Sequence, residues 1–107
     1  MSKAPTLGAP EQITIFEDEV FKVTAEEAGG NIFLHCVVRE WNKTQWKRAV
    51  SIFSEIKEAF YLNGLDEIFT YCTHQPAKWV KKLGEYEVID SFDYLGEEYE
   101  VIKWDLR

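Results

Sequence analysis

The sequence is poor in cysteine and histidine, with 2 residues of each type in a chain of 107. Cys36 and Cys72 are too few for a disulfide scaffold, and we expect them to be buried thiols in a reducing compartment. Their spacing relative to His35 and His74 matches no zinc-binding pattern, so we expect no metal site. These features favour a cytoplasmic protein.

Long apolar runs are also missing. No uninterrupted stretch approaches the roughly 20 residues needed to cross a bilayer. The first ten residues have no apolar segment typical of a signal peptide. We therefore expect no membrane association.

Basic residues are scarce, since 12 Lys and Arg stand against 19 Asp and Glu, for a formal net charge of −7. This balance argues against nucleic-acid binding by the chain as a whole. The charge is uneven, because residues 43–82 hold 7 basic and 4 acidic side chains, whereas residues 83–107 hold 2 basic and 8 acidic. A basic middle segment could form a local anion site. Alternatively, the acidic residues are solvated strand faces that maintain solubility.

Aromatic residues make up 15% of the chain, which is enough to build one apolar core. Pro5, Gly8 and Pro10 predict a flexible tail over residues 1–12, followed by a single domain over residues 13–107. Hydrophobic periodicity predicts the elements within that domain. The predicted strands lie at residues 13–16, 20–24, 32–41, 65–72, 86–92 and 99–104, and the predicted helices at 44–63 and 74–83.

Two of these elements define the expected fold. The nearly continuous apolar run at residues 32–41 predicts a central strand covered on both faces. The long amphipathic helix begins at Thr44 or Asn42 as its N-cap and ends near Asn63. It should connect two parallel strands by a right-handed crossover. The fold class is therefore α+β, a single domain with a mixed sheet and a β-β-α-β-α-β-β core.

This order over residues 20–107 resembles the later part of the GCN5-related N-acetyltransferase fold, an acyl-CoA N-acyltransferase fold. Residues 68–72 resemble the strand after the family's long helix, and residues 87–89 resemble a strand of its final hairpin. Residues 76–84 resemble its shorter helix, including the Leu83-Gly84 ending. The resemblance implies that the amino end of the long helix binds the pyrophosphate of acetyl-CoA. Small proteins of this kind occur among bacteriophages, which implies a phage-encoded protein in the host cytoplasm.

The sequence departs from the family at functional positions. The family's phosphate loop contains glycines, which residues 42–49 lack, and Trp46 would narrow any cradle there. Val80 stands where the family has its tyrosine general acid, and Glu85 replaces the phenylalanine of the Leu-Gly-Phe ending. The first 19 residues leave no room for the family's N-terminal helical pair. These departures favour a non-catalytic protein that binds a host enzyme or a virion component. The alternative is an acetyl-CoA-dependent N-acyltransferase with an unusual phosphate loop.

Three cations crowd the predicted amino end of the long helix. The helix macrodipole disfavours each of Lys43, Lys47 and Arg48 there by about 0.3–1 kcal/mol, and a bound anion would relieve this conflict. We therefore predict an anion site, or an acetyl-CoA site, formed by Lys43, Thr44, Gln45, Lys47 and Arg48. The alternative is that these side chains are solvated and paired with acidic neighbours.

Two histidines are candidates for chemistry. His74 follows the second parallel strand, where ligand sites form, so it is a candidate general base, although such a residue is more often a cap or a surface group. His35 and Cys36 are adjacent in a strand and point to opposite faces, so they cannot form a Cys-His pair. We expect His35 to be a hydrogen-bonded core or cleft residue.

Two further groups of residues suggest a protein partner. Trp41 and Trp46 bracket the start of the long helix and either anchor an interface or pack at the end of the sheet. The acidic hairpin over residues 85–105 could mimic a polyanion and occupy a partner's basic site, or serve as a charged edge that prevents aggregation.

Overall fold

The computed structural model describes residues 12–106. The predicted tail over residues 1–12 lies, apart from Gln12, outside the described residues. The strands are β1 (Ile13–Glu17), β2 (Phe21–Ala28), β3 (Asn31–Val38), β4 (Glu67–Thr73), β5 (Glu87–Tyr94) and β6 (Glu97–Asp105). The helices are α1 (Lys43–Leu62) and α2 (His74–Val80), and a short 3-10 helix, Lys81–Leu83, follows α2.

Within residues 12–106, the strands form one mixed sheet in the order β1-β2-β3-β4-β6-β5. β3 and β4, which α1 connects, are parallel, and the other neighbouring pairs are antiparallel. The predicted α+β class, the mixed sheet and the parallel pair are therefore confirmed.

Glycine in left-handed conformations forms the tight turn between β2 and β3. Gly29 and Gly30 have φ angles of 62° and 85°, which a two-residue hairpin turn of this kind requires and β-carbon-bearing residues disfavour. Because this turn is so short, β2 continues to Ala28, well beyond its predicted end at Thr24. The turn also fixes the register in which β2 and β3 pair.

Helix α1 begins and ends at polar caps. The side chain of Asn42 accepts a hydrogen bond from the backbone N–H of Gln45 at 2.9 Å, so Asn42, rather than Thr44, is the N-cap. At the other end, the N–H of Asn63 bonds to the carbonyl of Ala59. Within residues 12–106, neither helix combines the length and the apolar character that crossing a membrane would require.

Both helices pack on the same face of the sheet. Phe53 of α1 and Ala77 of α2 share a buried cluster with Leu34, Ile68 and Ile102 from the strands. Trp104 completes this core, and its ring centroid lies 4.6 Å from that of Phe53.

The expectation that β3 is covered on both faces is wrong. Leu34 faces the core and is buried, whereas Val37, on the other face, is 56% exposed. We call this other side the helix-free face, and it carries Phe33, His35 and Val37 in β3. Among residues 12–106, no helix packs against it. An apolar run predicts a strand, but it cannot show how many faces of that strand are covered.

Candidate functional site

A cleft opens where the two parallel strands separate. Among the described residues, the register joins β3 and β4 only at Phe33 and Phe69, and the Thr70 hydroxyl donates to the Leu34 carbonyl at 2.7 Å. Beyond that point, towards their carboxyl ends, a cavity of about 290 Å³ lies between the sheet, α1 and α2. The carboxyl ends of parallel strands are where α/β folds commonly bind ligands.

The lining of this cleft is mainly apolar and includes both thiols, Cys36 and Cys72. Both cysteines are free, Cys36 is exposed and Cys72 is half-buried, so the expectation of two buried thiols is wrong. Desolvation raises the pKa of both thiols above the ordinary value. Because the thiolate is the reactive form, these cysteines are poor nucleophiles at neutral pH.

A buried carboxylate lies beside the cleft on the helix-free face. Glu26 is 6% exposed, and its Oε1 is hydrogen-bonded to Nε2 of His35 and accepts from the hydroxyl of Tyr71 at 3.2 Å. Burial, together with the Glu26 charge, raises the pKa of Tyr71. His35 is therefore the hydrogen-bonded residue that its position predicted.

Glu26 is a site residue that the sequence analysis missed. The signal was the Gly29-Gly30 turn, because a two-residue hairpin fixes the register. That register pairs Glu26 with Phe33 and Thr24 with His35, which places Glu26 diagonally opposite the histidine on the same face.

The three cations predicted to crowd the amino end of α1 differ in their contacts. Arg48 forms an ion pair with Asp18 and donates to the Gln45 side chain at 2.6 Å, so Arg48 and Gln45 are occupied within the chain. Lys43 and Lys47 are exposed, and among residues 12–106 they have no carboxylate within ion-pair distance. The anion site therefore stays a prediction, with two of its five side chains already engaged.

Asp18 connects this end of α1 to the start of β2. Its Oδ1 accepts from the backbone N–H groups of Val20 and Phe21, both at 2.8 Å. The bond from Phe21, the bond from Arg48 and the bond from Val20 lower the pKa of Asp18 from 3.8 to about 2. The carboxylate is thus stabilised in its charged form by the fold.

We expect Asp18→Asn to lower stability in a pH-dependent way. The amide oxygen can still accept the backbone bonds, but it cannot form the ion pair with Arg48. Because the folded pKa lies below the unfolded one, the charge contributes stability above about pH 3.8 and loses it as the pH falls through about 2. Urea unfolding should therefore separate the two proteins at about pH 6, and this difference in the free energy of unfolding should shrink as the pH falls towards about 2. A difference of the same size at both pH values would contradict this role of the charge.

Three tryptophans cover the approach to the amino end of α1. Trp41, Trp46 and Trp79 lie with ring centroids 5.8–6.0 Å apart, and we call them the tryptophan cluster. They line a second cavity of about 420 Å³, which shares Phe21 and Cys36 with the first. The sequence predicts Trp79 only as part of the apolar face of the shorter helix, and the structure places it against Trp41 and Trp46.

His74 lies apart from the cleft. Its side chain is 73% exposed, and its Nδ1 is 3.9 Å from a carboxylate oxygen of Glu100. Glu100 also binds Lys81 at 2.7 Å, and this hydrogen bond raises the pKa of Lys81. The cleft therefore gives His74 no support as a general base, and that role stays a prediction. Among residues 12–106, no group of three acidic, cysteine or histidine side chains could hold a metal ion.

Comparison with known proteins identifies the fold. No protein-family model matches the sequence, and no match was found among curated proteins. Solved structures do match. An aminoglycoside 6'-acetyltransferase type Ii superposes with a TM-score of 0.68 at 15% identity, over 92% of this chain and 72% of that one. The aminoglycoside 6'-N-acetyltransferase from Enterococcus faecium gives 0.65 at 11% identity, over 90% and 72%.

A chimeric spermidine N-acetyltransferase from Vibrio cholerae gives a TM-score of 0.62 at 11% identity, and this chain spans 59% of its length. The chain has the N-acyltransferase fold. At these identities the likeness establishes architecture and leaves the activity to be argued from the site.

The amino end of α1 is partly occupied by the chain's own groups. A phosphate at a helix N-terminus needs free backbone N–H groups that it can approach closely. Here the Gln45 N–H is bound by Asn42, Arg48 is paired with Asp18, and the tryptophan cluster lies alongside. A diphosphate bound here would have to displace some of the chain's own contacts.

Proposed function

We propose that this chain is a non-catalytic binding protein built on the N-acyltransferase fold. The observation that carries the proposal is the occupied amino end of α1. Acetyl-CoA binding through its diphosphate would need this end to be open, and the Asn42 cap, the Arg48–Asp18 pair and the tryptophan cluster all oppose that.

A large exposed aromatic surface supports the same proposal. Trp41 is 46% and Trp79 is 48% exposed, and Lys82 Nζ lies 5.2 Å from the Trp79 ring centroid. Exposed tryptophan beside basic side chains is typical of protein interfaces, where such residues dominate the binding energy.

The proposal predicts that acetyl-CoA does not stabilise the protein. A ligand at 100 times its dissociation constant would add about 2.7 kcal/mol, which for a domain of this size raises Tm by about 10–20 °C. We expect no shift at millimolar acetyl-CoA in a thermal scan and no heat in calorimetry.

A charge-reversal variant gives this experiment its control. If acetyl-CoA binds, and Lys43→Glu with Lys47→Glu abolishes the binding, the proposal fails and the predicted anion site is real. Lys22→Glu with Lys57→Glu makes the same change in net charge on the helix-free face and in the carboxyl half of α1, so it should have no effect.

The cleft favours acyl transfer as a second candidate. His35, hydrogen-bonded to Glu26, could take the proton of an attacking amine at the rim of the apolar cavity. The donor would be a short acyl thioester recognised by its acyl arm. In such a reaction the amine nitrogen forms a bond to the carbonyl carbon, the carbon–sulfur bond breaks, and the thiol leaves with a proton.

Thiol release from a short acyl thioester in the presence of a primary amine tests this candidate. If acyl transfer occurs, the native chain releases thiol, His35→Gln abolishes this release, and His74→Gln leaves it unchanged. We expect no turnover above the uncatalysed rate.

A further inference from the structure

The helix-free face carries a continuous network of aromatic rings. Tyr71 is at its centre, with ring centroids 5.7 Å from Phe33, 5.9 Å from Phe92 and 6.4 Å from Tyr99. Phe92 and Tyr99 are stacked at 5.2 Å with an interplanar angle of 2°. The network thus spans β3, β4, β6 and β5 without interruption.

This surface differs from an ordinary solvated sheet face. A sheet with one open side normally presents polar residues to water, yet here Phe92 is 40% and Tyr94 is 59% exposed. Exposed rings that lie together and are rimmed by polar groups are typical of an interaction surface.

The charge around these rings is strongly negative. The register places five carboxylates and one ammonium group on this face of β4, β5 and β6. The carboxylates belong to Glu67, Glu87, Asp90, Glu97 and Asp105, and the ammonium group to Lys103.

That single cation is shared among three of the acids. Lys103 lies 3.5 Å from Glu67, 3.3 Å from Glu87 and 3.6 Å from Asp105. The hydrogen bond that Lys103 donates to Glu87, together with the charges of the neighbouring carboxylates, raises the pKa of Lys103. Asp90 and Glu97 have no cationic partner within residues 12–106. The face therefore retains an excess of negative charge beside exposed rings.

We propose that the helix-free face binds an extended, arginine-rich segment of a protein partner. This inference rests on the proposed binding function and names the partner's chemistry. Guanidinium groups stack on aromatic rings and also donate paired hydrogen bonds to carboxylates. Alternate side chains of an extended segment are about 6.6 Å apart, which is close to the spacing of the rings on this face.

Charge argues against a second copy of this chain as the occupant. Two such faces would oppose their carboxylates across the interface, and each chain carries a net charge of −7. Like charges brought together in a desolvated interface cost several kcal/mol. The negative charge of the helix-free face therefore attracts a basic partner and repels a second copy of this chain.

The chain offers a matched pair of double variants. Asp90 and Glu97 lie on the helix-free face, whereas Asp93 and Glu98, which pair with each other in the same two strands, point to the opposite side. Asp90→Lys with Glu97→Lys and Asp93→Lys with Glu98→Lys therefore make the same change in net charge on opposite faces. All four side chains are exposed, so neither variant disturbs the core.

The probe is a short peptide that alternates arginine with glycine, titrated into the full chain by calorimetry. We expect the variant at residues 90 and 97 to weaken binding about tenfold, and the variant at residues 93 and 98 to leave it within about twofold. Phe92→Leu keeps an apolar side chain but removes the ring, and it should weaken binding about threefold.

Several results would overturn this inference. They are an absence of peptide binding, equal weakening by both double variants, equal binding of a glutamate-glycine peptide, or a dimer in sedimentation that Phe92→Leu dissociates. Acetyl-CoA binding would instead overturn the proposed function and leave the peptide result standing, so the two failures are distinguishable.

Discussion

Replacing Trp104 with alanine will lower the free energy of unfolding by about 3–5 kcal/mol. The indole is 2% exposed and packs edge-on against Phe53 in the core. The substitution removes this contact and leaves a cavity that α1 and the sheet cannot close without moving. Because small domains are stable by only about 5–15 kcal/mol, we expect a protein near the limit of folding.

A conservative substitution separates packing from polarity at this position. Among residues 12–106, Nε1 of Trp104 is buried without a hydrogen-bond partner, so Trp104→Phe keeps a ring and removes an unsatisfied donor. We expect it to cost about 1 kcal/mol or less. Urea unfolding followed by circular dichroism measures both variants. If Trp104→Phe lowers the free energy of unfolding as much as Trp104→Ala does, the indole stabilises the fold by something other than the packing of a ring.

Replacing His35 with phenylalanine will lower the free energy of unfolding by about 3 kcal/mol. The variant leaves the carboxylate of Glu26 buried, with the Tyr71 hydroxyl as its remaining hydrogen-bond partner. A buried charge that loses its partner is costly, because desolvation is no longer offset.

The double variant His35→Phe with Glu26→Leu provides the test of this explanation. Replacing a buried polar pair by apolar residues of similar size is often neutral or stabilising, so we expect it to recover most of the loss. If the double variant is less stable than His35→Phe alone, Glu26 contributes through more than its pairing with His35.

Local sequence signals predicted most of the fold. The period of three to four residues between Trp46 and Phe60 identified α1, and the Gly29-Gly30 turn identified the β2–β3 hairpin. An amphipathic helix between two apolar strands then predicted the parallel pair, which the structure confirms. These signals are short-range, so one sequence suffices to find them.

Tertiary contacts account for what the sequence did not show. Whether a strand such as β3 is covered on one face or two depends on where the helices pack, which its own residues do not encode. The tryptophan cluster requires α2 to meet the start of α1, and the Arg48–Asp18 pair joins residues 30 positions apart. The candidate site was therefore predicted only in part, with its cations identified and the Asp18 partner of Arg48 missed.

The most direct test of the central claim is an amide and indole NMR spectrum of the labelled chain, titrated separately with acetyl-CoA and with the arginine-glycine peptide. The chain has 4 tryptophans, and three of them report on the amino end of α1. We predict that acetyl-CoA leaves these indole signals unmoved, while the peptide shifts amides of β5 and β6. Movement of the three indoles and of the amides of residues 43–47 on addition of acetyl-CoA would contradict the account.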